Sequence, residues 1–163
     1  MAKSSENWIE VGQWTWFYRQ AEPIGHTERL PVVLLHGLPS QSYGWREVLP
    51  ALSEPGFRAI APDWLGFGFS AKPDRRDFAY TPDAFIGALG DFLSALQIER
   101  FSLVVQGFFG FRWLAIHAAL SGTGGSGGNF ECTYYFSSKV TLEDSAVGRA
   151  NVGRCVDSRS SVG

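Results

Sequence analysis

The chain has 163 residues, 45% of them hydrophobic and 15% aromatic, with 13 Phe and 6 Trp. That is enough apolar material for one core and sets a ceiling of one ordinary domain. A net charge of −2 excludes a polyanion-binding protein, since nucleic-acid affinity rests on a clustered positive surface. The opening "MAKSSENWIEVG" has no apolar h-region, and no apolar run is long enough to span a bilayer, so the expectation is a cytoplasmic protein. Cys132 and Cys155 have no metal-ligand spacing and, without a secretion signal, predict no disulfide. Nothing in the sequence implies a metal or a cofactor.

"NWIEVGQWTWFYRQA" predicts a hairpin. Trp8 to Val11 is the first strand, Gly12-Gln13 the turn and Trp14 to Gln20 the second strand. Side chains alternate along a strand, so Trp14, Trp16 and Tyr18 share a face. The polar, Pro- and Gly-punctuated "EPIGHTERLP" is a loop. "PVVLLHG" is an unbroken apolar run ending in Gly, which predicts a strand buried on both faces of a parallel sheet. In "SQSYGWREVLPALSEPGF", Trp45, Val48, Leu49 and Leu52 fall at helical spacing, with Pro50 as an interruption or kink. "FRAIAPD" is a second buried strand, followed by the Gly- and charge-rich loop "WLGFGFSAKPDRRDFAY".

"TPDAFIGALGDFLSALQI" carries the strongest helix pattern. Thr81 caps it, Pro82 takes the first helical position and Asp83 complements the dipole. Ala84, Phe85, Ala88, Leu89, Phe92, Leu93 and Leu96 form the apolar stripe. "RFSLVVQG" is a third buried strand, and "FFGFRWLAIHAAL" has helical character. A hairpin followed by β-α-β-loop-α-β-α predicts an α/β fold: a mostly parallel sheet with helices on both faces and right-handed crossovers.

Two stretches lie where such folds place chemistry. His36 to Pro39 follow a buried strand at its carboxyl end, where ligands bind in open α/β sheets. The backbone N–H of Leu38 in that turn could donate to a developing oxyanion; equally, His36-Gly37 could be a tight turn and nothing more. Asp63, Gly66, Gly68 and Ser70 recur at fixed spacing in "PDWLGFGFSAKP". The reading here is structural: Asp63 pins the loop by accepting backbone hydrogen bonds, and the glycines supply positive φ.

With HG-x-P, D-x-x-G-x-G-x-S-x-K-P and V-V-Q in that order, the stretch from Trp8 to Phe111 resembles the N-terminal half of an α/β-hydrolase. Within that superfamily it is similar to the haloalkane dehalogenase and epoxide hydrolase branch. The resemblance implies a nucleophile in the turn after "LVVQ", Asp in dehalogenases and epoxide hydrolases and Ser in esterases. Aligned on that turn, this chain has Gly107 at the nucleophile and Phe108 after it. Gly107 has no nucleophilic atom, so covalent catalysis of the usual kind is impossible there. The Phe108 N–H could complete an oxyanion pocket with that of Leu38. Trp64, Phe67, Phe108 and Phe109 would suit an apolar pocket for a small apolar ligand.

No other residue restores a triad. Ser102 reads as a buried strand hydroxyl and Ser70 as part of the loop motif. His26 belongs to a surface loop, His36 to the oxyanion turn and His117 to the last helix, whereas the family's catalytic His lies far downstream. The functional expectations are therefore a hydrolase by family, inactive as written, a non-catalytic binding or interaction protein on the same fold, or a non-functional truncated product of a shifted frame.

After Phe108 the resemblance stops, and from Ser121 the chain changes character. "SGTGGSGG" is a low-complexity run, and "NFECTYYFSSKVTLEDSAVGRANVGRCVDSRSSVG" has no sustained period or apparent next strand. The expected division is residues 1–120 as half a hydrolase domain and 121–163 as a poorly ordered tail. A shifted reading frame accounts for the change. Codons compatible with "FFGFRWLAIHAALSGTGGSGGNFECTYYF", read one base later, permit "LGFGGLQYMRHYPERVEAVAILNAPIIS", a helix, its Arg/Pro stop and an apolar strand. "NFECT" constrains this most, being built mostly of residues with few codons. A single inserted base in a T run at Phe108-Phe109 would suffice; a Gly/Ser-linked fusion or a divergent segment are the rivals. The strand Leu103 to Gln106 would then be an exposed apolar edge, with marginal stability or aggregation as the consequence.

Overall fold

The computed structural model describes residues 3–106 and the strand Glu131–Ser137. Its six-stranded sheet runs in the order β1-β2-β4-β3-β5-β6. β1 (Ser5–Val11) and β2 (Trp14–Ala21) form the expected hairpin, antiparallel in full register with Trp8 opposite Phe17. Gly12 makes the turn with φ +60°, a conformation that favours glycine. β2 also runs antiparallel to β4 (Ala59–Pro62). β3 (Val32–Leu35) then pairs parallel with β4 on one side and with β5 (Arg100–Gln106) on the other. The fold is that of an α/β protein with a mixed sheet, as the alternation of buried strands and helices predicts.

All four residues of β3 and all four of β4 are buried, because the sheet is covered on both faces. Val33, Leu35 and Ile60 join one apolar cluster with Phe85, Ile86, Leu89, Phe92 and Leu93 of α2 (Pro82–Ala95). Val32, Leu34, Ala59 and Ala61 join the other, with Trp45 and Leu49. α2 begins as expected: Thr81 Oγ accepts the Ala84 N–H at 3.3 Å, and Pro82 follows the cap. Each fully buried large side chain of α2 contributes about 1.5–3 kcal/mol. Ile86, absent from the expected stripe, is buried too, so the helix's apolar face is wider than that stripe.

The region around Pro50 differs from the single interrupted helix expected. A 3-10 turn at Ser42–Trp45 precedes a six-residue helix, α1 (Val48–Ser53). The break falls before Val48, and Pro50 sits inside the first turn of α1, where a missing N–H costs nothing because the first N–H groups have no intrahelical partner. β2 is also more buried than alternation predicts. Phe17, on the face opposite Trp16 and Tyr18, is fully buried beneath Trp8 and Phe69, whose ring centroids lie 4.9 and 5.1 Å away. Arg19 on the same face is buried against the rings of Phe17 and Tyr43 and paired with Glu6.

A second correction concerns the sheet's far side. The sequence predicts no strand after β5 and leaves β5 as an open edge. Instead Glu131–Ser137 forms β6, parallel to β5 across all seven residues from Arg100 opposite Glu131 to Gln106 opposite Ser137. Thr133, Tyr134, Tyr135 and Phe136 have high strand propensity, and ladder hydrogen bonds need only backbone groups. Composition after a Gly-rich run hid that capacity. The expected helix after β5 and the rest of the tail lie outside the described residues.

Candidate functional site

The sheet order sets the location. β3 lies between β4, its successor, and β5, so the connections on either side of it leave over opposite faces, and a crevice opens at the carboxyl ends of such strands. The last β3–β5 pair is Leu35 opposite Val105. One residue further along from each stand His36, which opens the His36–Pro39 turn, and Gln106, which closes V-V-Q. Gly107 follows Gln106 directly in the chain. Gly107, Phe108, Phe109 and His117 themselves lie outside the described residues.

His36 is 1% exposed, and both ring nitrogens are engaged. The Trp64 backbone N–H donates to Nε2 at 3.2 Å, so Nε2 carries no proton. Nδ1 therefore carries it and donates to the Gly37 carbonyl at 2.8 Å. Trp64 returns a second bond, its indole N–H reaching the His36 carbonyl at 3.2 Å. Burial lowers the His36 pKa from the usual 6.5, against smaller upward effects of the Gly37 hydrogen bond and the Asp63 carboxylate. His36 is thus a neutral strut between the turn after β3 and the loop after β4. No lone pair is left to act as a general base.

Asp63 completes the brace, as expected. It is fully buried; Oδ1 accepts the Ser42 N–H at 2.6 Å and Oδ2 the Phe69 N–H at 2.8 Å. Ser70 Oγ donates to the Asp63 carbonyl at 2.6 Å and accepts the Phe17 N–H at 2.9 Å, tying the loop to β2. Gly68, at φ +50°, lies so close that a Cβ there would strike the Asp63 carboxylate; one on Gly66, at φ +88°, would strike the Tyr80 ring. Tyr80 in turn donates its hydroxyl to the Pro73 carbonyl at 2.7 Å. The Ser42 amide fixes the far end of the β3 turn, so His36 and Asp63 hold the segment carrying Leu38 from both sides. Leu38 is 37% exposed, and its bond to Pro39 is cis.

The remaining expected site residues divide plainly. Phe67 is half-buried near His36, with ring centroids 6.2 Å apart. Trp64 is 3% exposed and packs on Phe85 and Trp16. Ser102 is half-buried within β5, and His26 is exposed. Among the described residues no histidine is hydrogen-bonded to a carboxylate. The His36–Trp64 exchange was not foreseen from sequence, because 28 residues separate the partners and neither lies in a periodic pattern that would couple them.

A model of the alpha/beta hydrolase fold family matches residues 31–115 of the chain, just over half of it. An epoxide hydrolase of Caballeronia sordidicola is 41% identical over 87 residues, covering 53% of this chain and 25% of that protein. Haloalkane dehalogenase 2 of Mycobacterium tuberculosis is 36% identical over 80 residues, covering 49% of this chain and 27% of the relative. The crystal structure of haloalkane dehalogenase DbeA from Bradyrhizobium elkani superposes with a TM-score of 0.55 at 32% identity, over 64% of this chain and 33% of that one. The chain spans roughly a quarter of the length of the curated relatives named here.

Proposed function

The chain belongs to the alpha/beta hydrolase fold family, on its haloalkane dehalogenase and epoxide hydrolase branch, and from that membership we propose that it carries the family's ligand site without the means of covalent catalysis. The site is the crevice at the carboxyl ends of β3 and β5. Its ligand is a small apolar molecule, met by Leu38, Phe67, Phe108 and Phe109. The Leu38 and Phe108 N–H groups are the candidate oxyanion donors. The observation that supports this reading is the β3–β5 register, in which Leu35, just before the braced turn, lies opposite Val105, two residues before Gly107 in the chain. A hydrolase uses that neighbourhood to attack and stabilise one carbon centre. Here the donors are retained and the attacking atom is replaced by hydrogen.

On this reading residues 1–120 are the hydrolase portion and 121–163 an atypical tail produced by a one-base shift at the Phe108-Phe109 codons. Support comes from the shifted translation, which continues the family's helix and apolar strand where the written sequence abandons them. The lesion in the site is separate, since Gly107 precedes the shift.

The test uses two proteins, the chain as written and the product with its frame restored. Each is assayed with 1-bromobutane, styrene oxide and p-nitrophenyl butyrate, and for saturable quenching of tryptophan fluorescence by 1-bromobutane. The expected result is no turnover by either, with saturable binding by the frame-restored product. Turnover by that product with Gly107 in place would overturn the non-catalytic reading and favour a hydrolase of different chemistry. Gly107→Asp in the restored frame then asks whether the rest of the site is competent.

A further inference from the structure

We propose that the contact between the 3-10 turn and β2 is a binding site for one buried water molecule, held by Arg19, Ser42 and Trp45. This goes beyond the ligand-site reading and does not depend on it. Among the described residues, Arg19 Nε, Ser42 Oγ and Trp45 Nε1 are buried without a hydrogen-bond partner, in residues only 8%, 1% and 2% exposed. Groups left so are costly. The topology gathers them on one face of the sheet. Arg19 lies opposite Ala61 in the β2–β4 register, and Trp45 packs in the same apolar cluster as Ala61. Arg19 also reaches the turn itself, its guanidinium carbon 5.3 Å from the Tyr43 ring centroid. Ser42 and Trp45 are the first and last residues of the turn. Side chains at that spacing eclipse in a 3-10 helix, about 6 Å apart at a rise of about 2 Å per residue. One water spans about 6 Å between two hydrogen-bond partners.

The donor count sets the chemistry. Arg Nε and Trp Nε1 only donate, whereas a Ser hydroxyl also accepts. The two N–H groups cannot satisfy each other. A molecule that accepts from both and donates to Ser42 Oγ answers all three, and buried waters typically make about three bonds of this kind. A halide ion would accept as well, but the charges oppose it. Asp63 accepts the Ser42 N–H at 2.6 Å, which sets a carboxylate beside the site, and Glu6 already pairs with Arg19. The neutral ligand is therefore favoured. It would fasten the 3-10 turn to β2 next to the Asp63 brace.

The experiment is NMR on the full chain. NOE and ROE spectra record cross-peaks to water from the Trp45 indole N–H, which is assigned by its loss in Trp45→Phe. The expected result is a pair of cross-peaks of opposite sign, the mark of a water held longer than the molecule takes to tumble. The pair should persist in Ser42→Ala, where both N–H donors remain and no hydroxyl proton can imitate water. Relaxation dispersion of the water oxygen then counts long-lived waters, and the double variant Ser42→Ala/Trp45→Phe should hold one fewer than the unmodified chain. Absence of the cross-peaks from the unmodified chain, or their loss in Ser42→Ala, would overturn the proposal. So would an equal count in the folded double variant. Bromide that raises the unfolding midpoint of the unmodified chain but not of that variant would also overturn it, in favour of an anion site. Should the double variant not fold, the cross-peaks in the unmodified chain and in Ser42→Ala decide the matter.

Discussion

The loops that follow β3 and β4 and the strand β6 attach to the same sheet by different physics. The loops are held by side chains chosen for one place: His36 on Trp64, Asp63 on Ser42 and Phe69, Ser70 on Phe17. β6 is held by a ladder in which every residue type but proline can take part. The first kind of attachment is a record of selection for a particular geometry. The second asks of the segment only backbone groups and strand propensity.

The contrast predicts unequal sensitivity to substitution, measurable by denaturant unfolding of the full chain. Asp63→Ala should have the largest effect. It strips one buried and one partly buried N–H group of their acceptor and is expected to cost about 3 kcal/mol. Gly68→Ala comes next, at about 2 kcal/mol, because a Cβ at φ +50° meets the Asp63 carboxylate. If either variant unfolds at the same denaturant concentration as the original chain, the loops are not the specified region described above.

The third test uses pH. The folded-state pKa of His36 is lowered, so the unfolded chain binds the proton more readily. Its contribution to stability is fully present above about 6.5 and is lost as pH falls from there toward the folded value. Relative to His36→Gln, the unmodified chain should lose up to about 1.4 kcal/mol per pH unit across that window. A difference that grows upward from 6.5 would reverse the sign and remove the neutral strut. The smallest effect is expected at β6. Of Tyr134→Pro and Tyr135→Pro, one removes an N–H that faces β5, since ladder donors alternate. Even that variant should shift unfolding by only about 1 kcal/mol. A loss as large as that of Asp63→Ala would make β6 an integral strand and blur the distinction between the two regions.

Much of the selected part was legible in the sequence, because its signals are local. The unbroken "VVLL" announces a strand buried on both faces, and Thr81-Pro82-Asp83 announce the start of α2. The fixed Asp63-to-Ser70 spacing announces a loop organised around one carboxylate. What escaped detection depends on contacts distant in sequence. The burial of Arg19 depends on Tyr43 and Glu6 folding over it. Trp64 gives no sign in the sequence that its indole reaches the His36 carbonyl. β6 was hidden for the opposite reason: its attachment asks so little of the sequence that no pattern marks it. In the candidate site, the turn at His36 to Pro39 and the vacancy at Gly107 were both readable. What was not readable is that the β3–β5 register brings the ends of those two strands together, Leu35 opposite Val105.

The frame change is tested most directly by sequencing genomic DNA and transcript across the codons for Gln106 to Trp113. The account predicts one supernumerary base in the T run at Phe108-Phe109, whose removal restores a reading through "AILNAP". A transcript that reproduces the written frame without it, in independent isolates of the source, would contradict the account and make the tail and its β6 strand genuine parts of the protein.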